Sequence, residues 1–153
     1  MKMFERFRLV TILGRLGLAF ASFSARADVI KDCAGDDEEV VIKACSELIR
    51  RNPKNHVAFY NRGIAYDATR HHREAIEDYS SAIKIDPKVA SYFHNRGVSH
   101  SALEELDRAI EDYSTALKLD PNSERTYRNR AWARARANKD LKEALTDSAR
   151  DKG

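Results

Sequence analysis

Glycine and proline are scarce in this chain of 153 residues, at six and three, and tryptophan occurs once. Alternating Val/Ile/Thr runs of the kind that build half-buried strands are missing, which favours an all-α fold over a β-sandwich. No stretch of roughly 20 apolar residues is free of charge, as a membrane-spanning helix requires. Arg15 divides the most apolar stretch into residues 9–13 and 16–23. A Gly-rich phosphate loop, a Ser/His/Asp or Cys/His arrangement and a paired-carboxylate cleft are likewise absent, so the chain reads as non-catalytic and without a cofactor. Five histidines remain as candidate ligands: His56, His71, His72, His94 and His100. No two of them share the i,i+4 spacing of a helical zinc site, so no metal is expected.

The formal charge of +3 is a property of one end. Residues 1–27 carry five basic groups and one acidic, leaving 22 basic against 23 acidic in the remainder. A whole-domain argument for nucleic acid does not survive that division. Within the remainder, residues 28–53 hold four basic and seven acidic groups, and residues 124–153 hold nine and five. The chain is polarised, acidic at its start and basic at its end.

Residues 1–27 have the layout of a secretory signal peptide. Lys2, Arg6 and Arg8 make a basic start, residues 16–23 an apolar middle, and Ala25, Arg26 and Ala27 a small-residue cleavage site before Asp28. The competing readings are an amphipathic N-terminal helix or a start codon placed too far upstream. Cleavage after Ala27 would make the protein periplasmic or secreted, with no stable membrane insertion once the leader is gone. The two cysteines, Cys33 and Cys45, both follow that site. In an oxidising compartment they would pair, closing a loop of about a dozen residues. The plainer alternative is two small buried apolar residues.

What is present in abundance is repetition. Ala-Ile-Glu-Asp-Tyr-Ser at 75–80 returns at 109–114, Asn-Arg-Gly at 61–63 returns at 95–97, and Asp-Pro at 86–87 returns at 120–121. Residues 56–89 laid without a gap over 90–123 give 15 identities in 34. A fixed period of this length marks stacked units, none of which can bury its own apolar face. Each unit reads as two helices: the first ends near Ala68, a turn follows at 69–72, and the second ends near Ile85 before Pro87. Gly63 and Ala75 are expected to face one another so that the two helices approach closely.

The flanks are degenerate copies. Asp36 or Asp37 caps a helix with an apolar stripe of Val40, Val41, Ala44, Cys45, Leu48 and Ile49 that reaches about Arg51. Val41 and Pro53 stand as far apart as Ala75 and Pro87, so residues 28–55 read as an N-terminal cap containing half a repeat. Residues 124–153 read as an eroded third repeat. Tyr127, Asn129, Arg130 and Ala131 hold first-helix places, and Ala144 arrives one residue late, which predicts a turn with an insertion near Asn138. Ser148 then stands where Tyr79 and Tyr113 stood. The Arg residues of the three Asn-Arg pairs, with Asp78, Asp112 and Asp147, predict a ladder of ion pairs between first and second helices.

With Phe59, Gly63, Tyr66, Ala75, Tyr79 and Pro87, and again Phe93, Gly97, Ala109, Tyr113 and Pro121, the sequence resembles the tetratricopeptide repeat (TPR) family over about residues 38–150. More narrowly, the leader, the cysteine-bearing start and the Asn-Arg-Gly wording look like small secreted TPR proteins of Gram-negative bacteria. The resemblance implies a short α-solenoid, a TPR superhelix of antiparallel helix hairpins, binding a peptide or helix in a groove lined by the first helices. It implies partner contacts at Tyr60, Ile64, His94, Val98, Arg125, Arg128, Trp132 and Arg136. Some family members grip a C-terminal carboxylate with a Lys/Asn/Asn/Lys/Arg clamp. Here only Asn95 and Arg125 match it, so that mode is not expected. The function implied is a non-catalytic protein–protein interaction module or scaffold of the cell envelope. The alternatives are a self-associating homodimer, or an adaptor to an envelope enzyme or assembly complex.

Overall fold

The computed structural model describes the backbone of residues 28–150 and the side chains of residues 28–138. The leader expected at 1–27 lies outside the described residues. After a helical stretch at 28–32, six α-helices follow with no strand among the described residues. They are α1 (Glu38–Arg51), α2 (His56–Ala68), α3 (His72–Ile85), α4 (Ala90–Ala102), α5 (Leu106–Leu119) and α6 (Glu124–Arg150). Each helix packs on the next along the chain. In addition α2 touches α4 and α4 touches α6, whereas α3 and α5 do not meet. The layer α2/α4/α6 therefore forms the inner, shorter side of a curved stack.

Local chemistry sets the boundaries. Asp37 caps α1, its carboxylate accepting from the Val40 amide at 3.0 Å, and Glu38 and Glu39 follow in the first turn, where the helix dipole favours them. Asn55 caps α2 in the same way through the Ala58 amide at 3.1 Å. The hairpin turns close without glycine. Arg70 and Glu104, 34 residues apart, take positive φ of 63° and 58°. The amides after them then reach back to the Tyr66 and His100 carbonyls at 2.8 and 2.9 Å. This is the Schellman closure, in which a left-handed residue satisfies the last carbonyls of a helix.

The core is small-residue packing threaded with two tyrosines. Ala75, Ala82, Ala109 and Ala116 are fully buried, with Tyr79 and Tyr113 beside them. Gly63 does not oppose Ala75 as its principal neighbour: a Cβ on Gly63 would stand 2.7 Å from the Tyr79 ring. Gly97 meets the Tyr113 ring at 2.8 Å in the same way, with the Ala109 carbonyl behind at 3.3 Å. The missing Cβ makes room for a phenol ring, and the ring fills the hairpin. A separate cluster joins the cap to the first hairpin: Cys33, Val41, Ala44, Cys45, Ala58 and Ala65, flanked by Val29, Leu48 and Ile49. Within it the Cys33 and Cys45 sulfurs lie at bonding distance.

The C-terminal end departs from expectation. No turn falls near Asn138, and α6 runs unbroken for 27 residues. Its composition explains why. Between Ala131 and Ala149 the chain is mostly Ala, Arg, Lys, Leu and Glu, the strongest helix formers, with no Gly or Pro to stop it. The single weak former at 138 costs only a few tenths of a kcal/mol.

Candidate functional site

The inner face carries side chains at a strict repeat interval. Ile64, Val98 and Trp132 occupy the same place in α2, α4 and α6, and are 42, 38 and 51% exposed. Large apolar groups lined up across three helices, open to solvent, form a stripe rather than scattered surface residues. Two clefts adjoin the stripe, one beside Ile64 and one between Val98 and Trp132. One of about 400 Å³ is walled by Cys33, Ala34, Gly35, Asp36, Glu38 and Val41 on the cap side and by Asn61, Ile64, Ala65 and Ala68 on α2. The other, about 190 Å³, lies between Val98 and Ser101 of α4, Tyr113 of α5, and Asn129 and Trp132 of α6.

Hydrogen bonds hold these walls. Asn61 donates from Nδ2 to the Cys33 carbonyl at 3.0 Å, pinning the cap loop against α2. Asp67 is an internal hub. Its carboxylate accepts from Ser99 Oγ at 2.7 Å and Tyr79 Oη at 3.0 Å, and lies 2.9 Å from His72 Nδ1. That arrangement ties α2, α3 and α4 together. Burial first, and the neighbouring Asp67 carboxylate second, push the Tyr79 phenol far above its ordinary range, so it stays a donor.

The expected contact residues divide into three groups. Ile64, Val98 and Trp132 come together in the stripe. Arg125 and Arg128 stand exposed at its far end with no ion-pair partner among the described residues, and Arg136 reaches Glu104 at 3.3 Å. Tyr60 and His94 are differently employed. The Tyr60 ring is half-buried between Tyr92, at 4.8 Å centre to centre, and Tyr79, at 5.9 Å, while its hydroxyl accepts from Asn95 Nδ2 at 3.1 Å. His94 is only 4% exposed, with Nδ1 2.7 Å from Thr126 Oγ1 and its ring against Tyr113. It pins α4 to α6 instead of offering a contact surface. Burial, and then the positive charge of Arg125, hold its pKa down to about 4, so it is neutral at physiological pH.

The first two rungs of the predicted ladder are present, and each has a second half. Arg62 forks onto Asp78 with both contacts at 2.7 Å, and Arg96 onto Asp112 at 2.9 and 2.7 Å. The remaining guanidinium nitrogen of each reaches back to the preceding hairpin: Arg62 to Ser46 at 2.8 Å, Arg96 to Ser80 at 3.0 Å. Arg130 repeats the backward contact, to Ser114 at 3.3 Å. Each arginine thus joins its own repeat to the one before. The serines were legible only as repeated letters, because nothing in a single sequence says which neighbour a hydroxyl meets. The Asp147 rung lies outside the described side chains.

The model of the tetratricopeptide repeat matches residues 56–89 and again residues 90–123. Among solved structures, the Sgt2 TPR domain from Aspergillus fumigatus aligns at TM-score 0.68 and 20% identity, covering 80% of this chain and 82% of that one. The first TPR of Spaghetti (RPAP3), bound to the HSP90 peptide SRMEEVD, aligns at 0.66 and 21%, covering 75 and 89%. The TPR2B domain of yeast Sti1, in complex with pHsp70, aligns at 0.65 and 23%, covering 74 and 95%. No curated protein sequence matches the chain. At such identities the shared property is the fold. Residues 56–89 and 90–123 are two tetratricopeptide repeats, set in a solenoid of helical hairpins like those domains.

Proposed function

We propose that this protein is a non-catalytic interaction module of the bacterial cell envelope that binds a peptide or helix along α2, α4 and α6. The observation that carries the reading is the exposed Ile64–Val98–Trp132 stripe, aligned at the repeat interval on the inner face, with one cleft beside Ile64 and another between Val98 and Trp132. Apolar and aromatic anchors beside small pockets are where interface energy concentrates. The HSP90 peptide named for Spaghetti and the pHsp70 complex named for Sti1 support ligand binding by this fold. The clamp those resemblances evoke is not carried over. Tyr60 and Ile64 replace two of its polar residues, and Asn95, one of the two that match, already donates to Tyr60.

Envelope residence rests on the leader-like residues 1–27 and on the bonded pair Cys33/Cys45, a chemistry that persists in oxidising compartments. No helix among the described residues is long and apolar enough to cross a membrane. The ligand would lie with basic or apolar groups toward Asp36 and Glu38 and acidic groups toward Arg125 and Arg128. Selection from a random peptide display library tests this. Enriched peptides should carry apolar anchors and an acidic end, and should bind about tenfold or more weakly to Arg125→Glu/Arg128→Glu. Enrichment of peptides indifferent to that double reversal and to Val98→Asp would overturn the groove assignment.

A further inference from the structure

Among the described residues the third rung of the ladder lacks its carboxylate. Arg62 and Arg96 each use two guanidinium nitrogens on an aspartate of the helix that follows, whereas Arg130 meets no carboxylate among the described residues, reaching back to Ser114 and lying over the Tyr127 ring. In the first two repeats that following helix also lays a tyrosine ring over Gly63 or Gly97, which are buried. On α6 the matching residue, Ala131, is exposed, and Tyr127 beside it is 47% exposed. Because α6 continues as helix through Asn138, no helix among the described residues covers this face.

The sequence that fits the face is in the same chain. Ala144, Asp147 and Ser148 repeat the spacing of Ala75, Asp78 and Tyr79, and of Ala109, Asp112 and Tyr113. The size change is complementary. Where Gly faced Tyr twice, Ala131 would face Ser148, and a methyl group has room beside a hydroxymethyl but none beside a phenol ring placed 2.7 Å from a Cβ. Asp147 would bring the carboxylate that Arg130 lacks.

We propose that residues 139–150 of a second copy occupy the open face of α6, each copy supplying the other. In an unbroken helix these twelve residues project roughly 18 Å beyond Asn138, away from their own Arg130. First and second helices of a hairpin run antiparallel. Two α6 helices side by side and antiparallel therefore fill both seats at once, with Arg130 opposite Asp147 of the other copy and a two-fold axis between residues 138 and 139. This is an isologous exchange in which the hairpin turn is replaced by a straight helix. The inner face of α2 and α4 plays no part, so the groove and the exchange stand or fall separately.

Charge reversal across the pair gives a decisive test by sedimentation of the purified full chain. The unmodified chain should dimerise, and Arg130→Glu and Asp147→Arg should each weaken the dimer about a hundredfold, because like charges then face one another twice. Mixing the two single variants should restore dimers, since a mixed pair has both rungs correctly matched. Circular dichroism confirms that each variant stays helical. A second probe is Ala131→Cys paired with Ser148→Cys, which should give an intermolecular cross-link on oxidation. A chain that is monomeric throughout, single variants that fail to associate on mixing, or a cross-link formed only within one chain would each overturn the exchange.

Discussion

A guanidinium fork holding an aspartate that is almost out of solvent is a costly thing to break. The Asp78 and Asp112 side chains are each 6% exposed, and their arginines about a fifth. Removing one partner leaves the other charge without compensation, so Arg96→Ala should cost about 3 kcal/mol in urea unfolding. Arg96→Met with Asp112→Leu should recover most of that loss. A double variant as unstable as the single would show that the pair itself, not the orphaned charge, supplies the stability. At His94 the relevant quantity is proton linkage. Its folded pKa of about 4 lies below the ordinary 6.5, so the unfolded chain binds the proton more tightly. The stability held by neutral His94 is complete above pH 6.5, and falls as pH drops toward 4, by up to roughly 3 kcal/mol. His94→Gln should flatten that part of the stability–pH curve, and an unchanged slope would remove His94 as its source. The ladder aspartates were readable in the sequence because stacked repeats place like residues in register. The burial of His94 was not. Its place is a surface position by repeat offset, and only the Thr126 hydroxyl on α6 and the ring of Tyr113 draw it inward.

Helix positions in the sequence were legible wherever a cap, a Pro or a 34-residue repeat marked them. The ends of α1 to α5 fall within a residue or two of the reading from Asp37, Ala68, Ile85 and the paired Asp-Pro steps. The last element failed for an identifiable reason. A hairpin turn needs a residue willing to leave helical φ/ψ, and Arg70 and Glu104 do so because a following helix packs back and rewards the turn. Around Asn138 local propensity favours helix, so pattern offset alone was a poor guide. The cap is the opposite case: its helix is stapled rather than paired. Cys33–Cys45 and the Asn61 contact hold the loop that walls the larger cleft. Closing a loop of 12 residues is worth about 3 kcal/mol. Cys45→Ser should lower stability by about that amount and speed amide exchange in residues 33–37 before it does so in α4 or α5. Uniform loss of protection along the whole chain would contradict a local staple.

Across the whole molecule, scaffold and specificity occupy different residues. The letters that made the repeats visible, Ala, Gly, Tyr and Asp-Pro, are buried or structural, and the candidate binding face is built from positions that vary between repeats. That is why the fold was legible and the site only in outline. Ile64, Val98 and Trp132 follow from repeat register, whereas the cap loop from Cys33 to Glu38 enters the site by tertiary packing that no local pattern encodes. The charge gradient also belongs to this scale, running from Asp36 and Glu38 beside one cleft to Arg125 and Arg128 beyond the other. Trp132 is the sole tryptophan, half exposed at the α6 end of the proposed contact stripe. The most direct measurement is therefore its fluorescence during titration with a library-selected peptide. Ligand binding should give a saturable blue shift that is lost in Val98→Asp and retained in Glu111→Lys on the outer helix α5. Binding with unchanged Trp132 emission, and unaffected by Val98→Asp, would contradict a ligand site on the inner face.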